Sequence, residues 1–375
     1  MIVEVIMYHF ILNPTASSGK GRKVWEEIKP VLTENRIDYK VYAFHDANEM
    51  SSFVKELTSA FCTRNGNTGD ADGVFAGDNA RGNADEELCH LVVLGGDGTL
   101  NIVLNSIEDF EHTRLSCIRV GSGNDFARNV GIAAKPREAL IHLLNEPEEL
   151  VIDYGEVSFV SADAVKEGQD NALIDHRVDA ADREDTVCTY LETEELSDVL
   201  PKRTRRFIIS SGIGYDADIC EEVSRSRLKK ILNFLRLGKL VYTVIGIKQI
   251  FNKDRARVKL YLDDDEPIRI GSLMFAVAMI HEKEGGGVPF CPHADATDGQ
   301  LELCIVKNAP APKLLLEVAM VYIRKHILFS NVREMRCKRL RISADRSQWL
   351  HTDGETPCKV KDAVFTCHHG LRVVK

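Results

Sequence analysis

The stretch LVVLGGDGT, residues 91–99, decides the fold of this chain. Its apolar residues predict a buried strand, and the glycines that follow permit a tight turn whose backbone N–H groups can approach phosphate oxygens. Asp97 adds a carboxylate that can meet a metal ion or a transferring proton. Residues 100–107 keep apolar side chains at helical spacing, which predicts a helix whose positive end faces the phosphates. The stretch therefore indicates a nucleotide-binding turn between a strand and a helix.

Two more turns of this kind occur in the first 130 residues. FILNPTASSGKG, residues 10–21, is a strand followed by hydroxyl and glycine residues, and a helix is expected after it. It is not a Walker A loop, because Pro14 stands where that motif needs glycine and Gly21 where it needs serine or threonine. GSGNDFAR, residues 121–128, again follows apolar residues and leads toward a helix. A lone glycine turn can merely reverse the chain, whereas three favour a phosphate cradle.

The hydrophobic pattern changes at about residue 146. Before it, strands alternate with helices, which predicts an open α/β domain with a mainly parallel sheet over residues 1–145. After it, short alternating segments predict an antiparallel β domain over residues 146–369. The strands are expected at residues 6–12, 39–44, 91–94, 151–154, 207–211, 256–262, 273–280, 301–306 and 340–343, and the helices at 23–32, 49–61 and 100–107.

Composition fits a cytoplasmic enzyme of two domains. The 375 residues are 44% hydrophobic, which is enough for two cores. No apolar run approaches the roughly 18 residues of a membrane span, and residues 1–10 have no cationic region of a signal peptide. The ten cysteines are scattered, as expected of reduced thiols. Cys358 with residues 367–369 either holds a metal or forms an ordinary strand end.

The net charge of −9 is concentrated in one segment. Residues 160–200 hold twelve acidic and three basic residues, and we interpret them as a solvated insertion in the β domain. A second insertion is expected at residues 63–87, where glycine steps accumulate without periodicity. Ser224–Tyr242 has six basic residues, no acidic ones and apolar residues at helical spacing, so it either contacts an anionic membrane or covers the β domain. Nucleic acid is not an expected partner, and a homodimer through edge strands stays open.

In order and spacing, the three turns resemble the catalytic domain of the diacylglycerol kinase family, which includes sphingosine and ceramide kinases and, closest in pattern, the bacterial soluble lipid kinases. Residues 212–217 (GIGYDA), 285–299 and 351–355 (HTDGE) look like the family's later elements. Three positions depart from the pattern. Val120 stands where proline is usual, Ser122 replaces a threonine, and Phe44 stands where many members have a threonine near the adenosine.

This resemblance implies an ATP-dependent, magnesium-requiring lipid kinase with a C-terminal β-sandwich and an active site in the cleft between the domains. Residues 370–375 are expected to return to the first domain. The implied acceptor is diacylglycerol, giving phosphatidic acid, with sphingoid base or ceramide as the alternative. Peripheral membrane contact through Ser224–Tyr242 would explain how the enzyme reaches a membrane-dissolved acceptor. A nicotinamide-nucleotide kinase, which shares the GGDGT turn, and a non-catalytic lipid- or nucleotide-binding regulator remain further alternatives.

Phosphoryl transfer needs a phosphate cradle, a divalent ion and a group that meets the acceptor's proton. Asp97 and Glu355 are expected to hold magnesium, since that ion prefers carboxylate and phosphate oxygens. The resemblance implies that Asp353 orients the lipid hydroxyl and accepts its proton, although which aspartate is the base stays open. It also implies a structural magnesium at Asp298, for which a plain β-turn is the alternative. The expected nucleotide contacts are Asn13, Ser17, Gly19, Gly95, Gly96, Gly98, Thr99, Gly121, Ser122, Asn124 and Asp125.

Overall fold

The structure is a computed structural model that describes residues 6–66, 88–121, 123–162, 202–225, 238–251, 255–263 and 265–375. Ser122, most of both expected insertions and residues 226–237 of the basic segment lie outside the described residues.

The first half of the chain forms a parallel sheet with crossover helices. Strands β1 to β4 lie in the order β2-β1-β3-β4, and each neighbouring pair is parallel. One apolar cluster lies on each face of this sheet, so its strands are buried on both sides. Its elements are β1 (Tyr8–Leu12), α1 (Ala16–Glu34), β2 (Tyr39–Ala43), α2 (Ala47–Gly66), β3 (Cys89–Gly95), α3 (Asp97–Ser106), β4 (Thr113–Arg119), α4 (Asp125–Asn129) and α5 (Pro136–Asn145).

The second half is mainly antiparallel β structure around its own core. Strands β7, β10, β11 and β12 pair in sequence, and β13 pairs with β7, β8 and β14. The predicted class, α/β followed by a β-sandwich, is confirmed. Its elements are β5 (Glu149–Phe159), β6 (Arg203–Phe207), β7 (Ser210–Gly214), α6 (Tyr215–Arg225), α7 (Gly238–Ile250), β8 (Val258–Leu262), β9 (Ile268–Ile270), β10 (Leu273–Met279), β11 (Leu301–Lys307), α8 (Ala311–Val321), a 3-10 turn (His326–Leu328), β12 (Val332–Cys337), β13 (Arg339–Thr352) and β14 (Lys359–Val374).

Several element boundaries differ from the sequence predictions. Helix α1 begins at Ala16 rather than residue 23, because the Asn13 carbonyl accepts the Ala16 N–H. The hydroxyl and glycine residues that follow are weak helix formers, which is why the sequence predicted a later start. The single strand expected at 207–211 is instead the end of one strand, β6, and the start of another, β7. The N–H groups of Ile208 and Ile209 between them turn toward the carboxylate of Asp353. Strand β13 runs to Thr352, well past the expected 340–343. Helix α2 extends to Gly66, so residues 63–66 belong to a helix and not to the insertion.

Strand β14 joins the two halves. It pairs antiparallel with β13 and β5, and its last residues pair in parallel with β4. Leu371 and Val373 are fully buried in the first domain's core, and the Ser116 hydroxyl donates to the Val374 carbonyl at 2.6 Å. The C-terminal residues thereby fix the β domain beside the parallel sheet.

The dependence on β14 gives a stability prediction. Leu371→Ala removes a fully buried side chain, so we expect the free energy of unfolding in urea to fall by about 2–5 kcal/mol. Val151→Ala, a change at a 42% exposed position on β5, is the matched control and should alter stability by less than about 0.5 kcal/mol. Equal effects of the two changes would contradict this view of the chain end.

Candidate functional site

The glycine turn lies where β3 ends and α3 begins, at the carboxyl edge of the parallel sheet. Gly95 has no room for a side chain, since a Cβ there would lie 2.4 Å from the Thr99 Cβ. The first N–H groups of α3 have no partner within the helix and form an anion site with the positive helix end. The backbone geometry of this turn therefore suits the expected phosphate cradle, which stays a prediction.

The other two turns flank this one. In the first, the Asn13 amide oxygen accepts the Thr15 N–H at 3.1 Å, and its Nδ2 donates to the Thr99 hydroxyl at 3.4 Å. In the third, Asn124 has a left-handed φ of +52°, and its Nδ2 donates to the Gly121 carbonyl at 2.6 Å. Three separate sequence motifs thus meet around one helix end.

A cavity of about 390 Å³ opens at this junction, a size that suits a small ligand. Five expected nucleotide contacts line it, together with Glu355 from the turn after β13. Gly19, Gly95, Gly121, Asn124 and Asp125 do not line it. The remaining lining residues were not singled out in the sequence: Ala16, Asn101, Ile102 and Arg205.

Arg205 is a cation at the cavity wall. Its Nη2 donates to the Asn101 amide oxygen at 2.9 Å, and among the described residues no carboxylate pairs with its guanidinium. A guanidinium held in this way can bind phosphate oxygens. The sequence signal was the basic run 202–206, whose position beside the glycine turn depends on the fold.

Asp97 begins α3 and faces other acids. Burial and then the charges of Asp125 and Asp353 raise the pKa of its carboxyl, the backbone N–H groups of Phe126 and Asn124 oppose the rise, and the result is a pKa of about 6. Gly123 makes room for it, since a Cβ there would lie 2.7 Å from the Asp97 Oδ2. The Phe126 N–H donates to its other oxygen at 3.4 Å. Ionised Asp97 is thus held among negative charges, an arrangement that a divalent cation would relieve.

Asp353 is held by four hydrogen bonds. Its Oδ1 accepts the N–H groups of Ile209 at 2.8 Å and Ser210 at 3.1 Å, and its Oδ2 accepts the Ile208 N–H at 3.0 Å and the Asn101 Nδ2 at 2.8 Å. Burial raises the pKa of this carboxyl, and these bonds oppose the rise. A carboxylate has about four acceptor positions, and all are used here. The side chain therefore links the turn after β13 to α3 and to the gap between β6 and β7.

Asp125 makes the second link across the cleft. Both of its carboxylate oxygens accept the Gly286 N–H, at 3.0 and 2.8 Å, and Arg128 lies 3.6 Å away. Gly286 belongs to the loop of residues 280–291 that follows β10. The third turn thereby holds a loop of the β domain against the parallel sheet.

A buried polar group behind this loop was not anticipated. The Ser210 hydroxyl donates to Glu284, and the His351 Nε2 lies 2.8 Å from the Asp216 Oδ2. Burial raises the pKa of Glu284 to about 7. Burial lowers the pKa of His351, but Asp216, Glu284 and Asp353 outweigh it and raise the value to about 9. Asp216 and His351 lie in motifs that the sequence analysis quoted, but their contact was not predicted, since the chain brings these residues together from three distant segments.

The remaining metal predictions are less well supported. The Asp298 Oδ1 accepts the Gln300 N–H at 3.0 Å, and its other oxygen lies 3.7 Å from Arg336, so a cation there would compete with a guanidinium. His369 bonds Asp153 at 2.6 Å, and Cys358 is buried in the β-domain core. Across the part of the chain that the structure describes, no three His, Cys, Asp or Glu side chains form a complete metal site. Glu355 and Asp97 would therefore need phosphate oxygens or water to complete magnesium coordination.

Comparison with known proteins identifies both domains of the chain. Residues 7–157 match the family described as "Diacylglycerol kinase catalytic domain", and residues 209–374 match the "YegS C-terminal NAD kinase beta sandwich-like domain". "Putative lipid kinase YtlR" of Bacillus subtilis is 22% identical over 352 residues, 93% of each chain. A Bacillus subtilis diacylglycerol kinase is 23% identical over 266 residues, covering 71% of this chain and 70% of that one.

A solved structure shows the same fold. It is described as "a putative diacylglycerol kinase from Bacillus anthracis str. Sterne", and it superposes with a TM-score of 0.64 at 16% identity over 98% of this chain and 96% of that one. Fold and cleft together define a two-domain lipid kinase. The first domain belongs to the diacylglycerol kinase catalytic-domain family, and the two matched families together cover most of the chain. No helix among the described residues is long and apolar enough to cross a membrane.

The acidic surroundings of Asp97 predict opposite effects of one substitution on stability and activity. Because its pKa is raised from 3.8 to about 6, folded-state stability falls as the pH rises through that interval and stays reduced above it. Asp97→Asn removes this penalty, so at about pH 7.5 we expect the free energy of unfolding to rise by about 1–3 kcal/mol while phosphate transfer is lost. Urea unfolding at about pH 7.5 and about pH 5 measures the first effect, which should shrink at the lower pH. A variant that is less stable at both values would contradict this electrostatic account.

Proposed function

We propose that this lipid kinase transfers the γ-phosphate of ATP to the free hydroxyl of diacylglycerol and requires magnesium. The observation that carries the proposal is the cavity in which the glycine turn, Arg205 and Glu355 face one another. A backbone anion site, a guanidinium and a carboxylate are the groups that phosphoryl transfer needs around a nucleotide's phosphates. The relatives named as diacylglycerol kinases support the choice of acceptor.

Nucleotide binding rests on the backbone and on three side chains. The N–H groups at the start of α3 donate hydrogen bonds to phosphate oxygens. The Asn13 side chain holds the neighbouring turn against Thr99. Arg205 lines the same cavity and offers its guanidinium to the terminal phosphate. In this proposal the γ-phosphate lies in the cavity, beside the cleft between the two domains.

The residues present fit a magnesium ion. Asp97 is destabilised by neighbouring carboxylates, and Glu355 lies close to the glycine turn, with its Oε1 3.4 Å from the position a Cβ at Gly98 would take. Both carboxylates would hold the ion with the phosphates. When bound, magnesium neutralises charge on the transferring phosphoryl group.

Asp353 acts in this proposal as a positioning residue. The transition state of phosphoryl transfer is loose, so the acceptor hydroxyl need not lose its proton early, and placement dominates the rate. Asp353 already accepts four hydrogen bonds, so it fixes the walls of the cleft while the lipid hydroxyl enters beside the γ-phosphate. The base role that the resemblance implied for Asp353 stays a prediction.

A transfer assay tests the function and selects the acceptor. Labelled ATP and magnesium are supplied with mixed micelles of diacylglycerol, sphingosine or ceramide, or with free NAD. We expect label in phosphatidic acid, a loss of about a hundredfold or more in Asp97→Asn, and no change in Glu26→Gln, an exposed carboxylate on α1.

Other outcomes of that assay separate the alternatives. Transfer to sphingosine or ceramide alone would show that the protein is a lipid kinase with an acceptor other than diacylglycerol. Transfer to NAD alone would identify a nicotinamide-nucleotide kinase. Nucleotide binding without transfer to any acceptor would identify a regulator and overturn the proposal.

A further inference from the structure

Helix α8 exposes apolar residues and buries a charged one. Leu314, Glu317 and Val321 face the protein, with Glu317 only 5% exposed, whereas Leu316 and Val318 are 49% and 42% exposed. A surface helix normally shows the reverse pattern. The outer face of α8 is therefore suited to a surrounding other than water.

The apolar face continues beyond the helix. Tyr322, Ile323 and Leu328 follow α8 and are 65%, 57% and 77% exposed. We call the six residues Leu315, Leu316, Val318, Tyr322, Ile323 and Leu328 the α8 surface. Helix α7 packs beside α8 and adds exposed apolar side chains of its own, at Val244 and Ile247.

Internal hydrogen bonds hold the apolar side outward. The Glu317 carboxylate accepts the Asn331 Nδ2 at 3.1 Å, and the same Nδ2 donates to the Lys307 carbonyl at 3.1 Å. The His326 Nε2 lies 2.9 Å from the Phe290 carbonyl oxygen and fixes the 3-10 turn. Rotating α8 to bury its leucines would break the buried bonds of Glu317, which is costly.

Within residues 308–331, the exposed charges that border the α8 surface are positive. Lys313, Arg324 and Lys325 lie within residues 308–331, and Glu317 is the one acidic residue in that range, where it is buried. Arg324 and Lys325 are exposed beside Ile323. An apolar face bordered by cations and by a tyrosine is complementary to the boundary between acyl chains and anionic headgroups.

The α8 surface is connected to the cleft. Arg324 pairs with Glu282 at 2.5 Å, and the 3-10 turn contacts Phe290, so both ends of the loop 280–291 are tied to it. That loop carries Gly286, which bonds Asp125 beside the glycine turn. A partner at the α8 surface would therefore lie next to the element that closes one side of the cleft.

We propose that the α8 surface docks this protein on a bilayer that contains anionic lipids, and this inference rests on the proposed lipid acceptor. The aliphatic side chains enter the acyl boundary, while Arg324 and Lys325 reach the headgroups. A second copy of the chain fits the same face less well. Twofold pairing would bring the cations of one copy toward those of the other, and the described part of the face offers no exposed acid to meet them.

Vesicle binding tests the proposal with the full chain. The vesicles contain phosphatidylcholine alone or phosphatidylcholine with phosphatidylglycerol, and binding is measured by flotation. The test variant is Leu316→Ser with Ile323→Ser, and the control is Ile141→Ser with Val151→Ser, two exposed apolar positions on α5 and β5. Lys325→Glu tests the charge.

We expect binding to the anionic vesicles to fall about a hundredfold in the test variant, roughly tenfold for each apolar side chain removed, and to be unchanged in the control. Lys325→Glu should lose the preference for anionic vesicles. Phosphorylation of a short-chain, water-soluble diacylglycerol should be the same in all four proteins, because the cavity is untouched. Equal thermal melting of the variants checks that each is folded.

Two results would overturn the docking proposal. One is vesicle binding in the test variant equal to that of the unaltered protein. The other is a dimer in solution that the test variant converts to a monomer without loss of vesicle binding, which would assign the face to a second copy. If vesicle binding follows the expectation but no lipid is phosphorylated, the result supports the docking proposal and contradicts the proposed lipid acceptor.

Discussion

The carboxylate of Asp353 is the contact on which the cleft depends. It binds three consecutive N–H groups between β6 and β7 and the side chain of Asn101 on α3, and its own N–H donates to the Ser210 carbonyl at 2.8 Å. One residue from the turn after β13 thus holds the β domain against the helix that carries the phosphate cradle. Since buried N–H groups without acceptors are costly, the strand break at 208–209 exists only with this carboxylate in place.

The site combines this firm support with electrostatic strain. The charges of Asp125 and Asp353 add to burial in raising the pKa of Asp97, and burial raises the pKa of the nearby Glu284 to about 7. Such an arrangement reduces the stability of the empty protein and favours a bound cation. The Gly286 N–H and the Arg128 guanidinium offset part of the negative charge of Asp125. Asp97 is therefore the carboxylate that a bound cation would stabilise most.

Much of the fold could be predicted because it depends on local pattern. The alternation of strands and helices predicted the parallel sheet, and the three glycine turns predicted where a phosphate cradle would lie. The functions of Arg205, Glu284 and His351 could not be predicted, since each depends on partners more than a hundred residues away or on another domain. The exposed face of α8 could not be predicted either. Periodicity indicates an apolar helix, but the buried hydrogen bond between Glu317 and Asn331 appears only in the folded chain, and it determines which side of the helix faces the protein. Asp353 was found by its motif, yet its four hydrogen bonds appear only in the folded chain.

Asp353→Asn tests the central claim most directly. Its free energy of unfolding and the amide hydrogen exchange of Ile208, Ile209 and Ser210 are compared with those of the unaltered protein. Because an amide nitrogen would face N–H donors, the account predicts a loss of about 1–3 kcal/mol, faster exchange at these three amides and weaker ATP binding. Unchanged stability, exchange and ATP affinity, with only the rate of transfer lost, would contradict the account and make Asp353 the catalytic base.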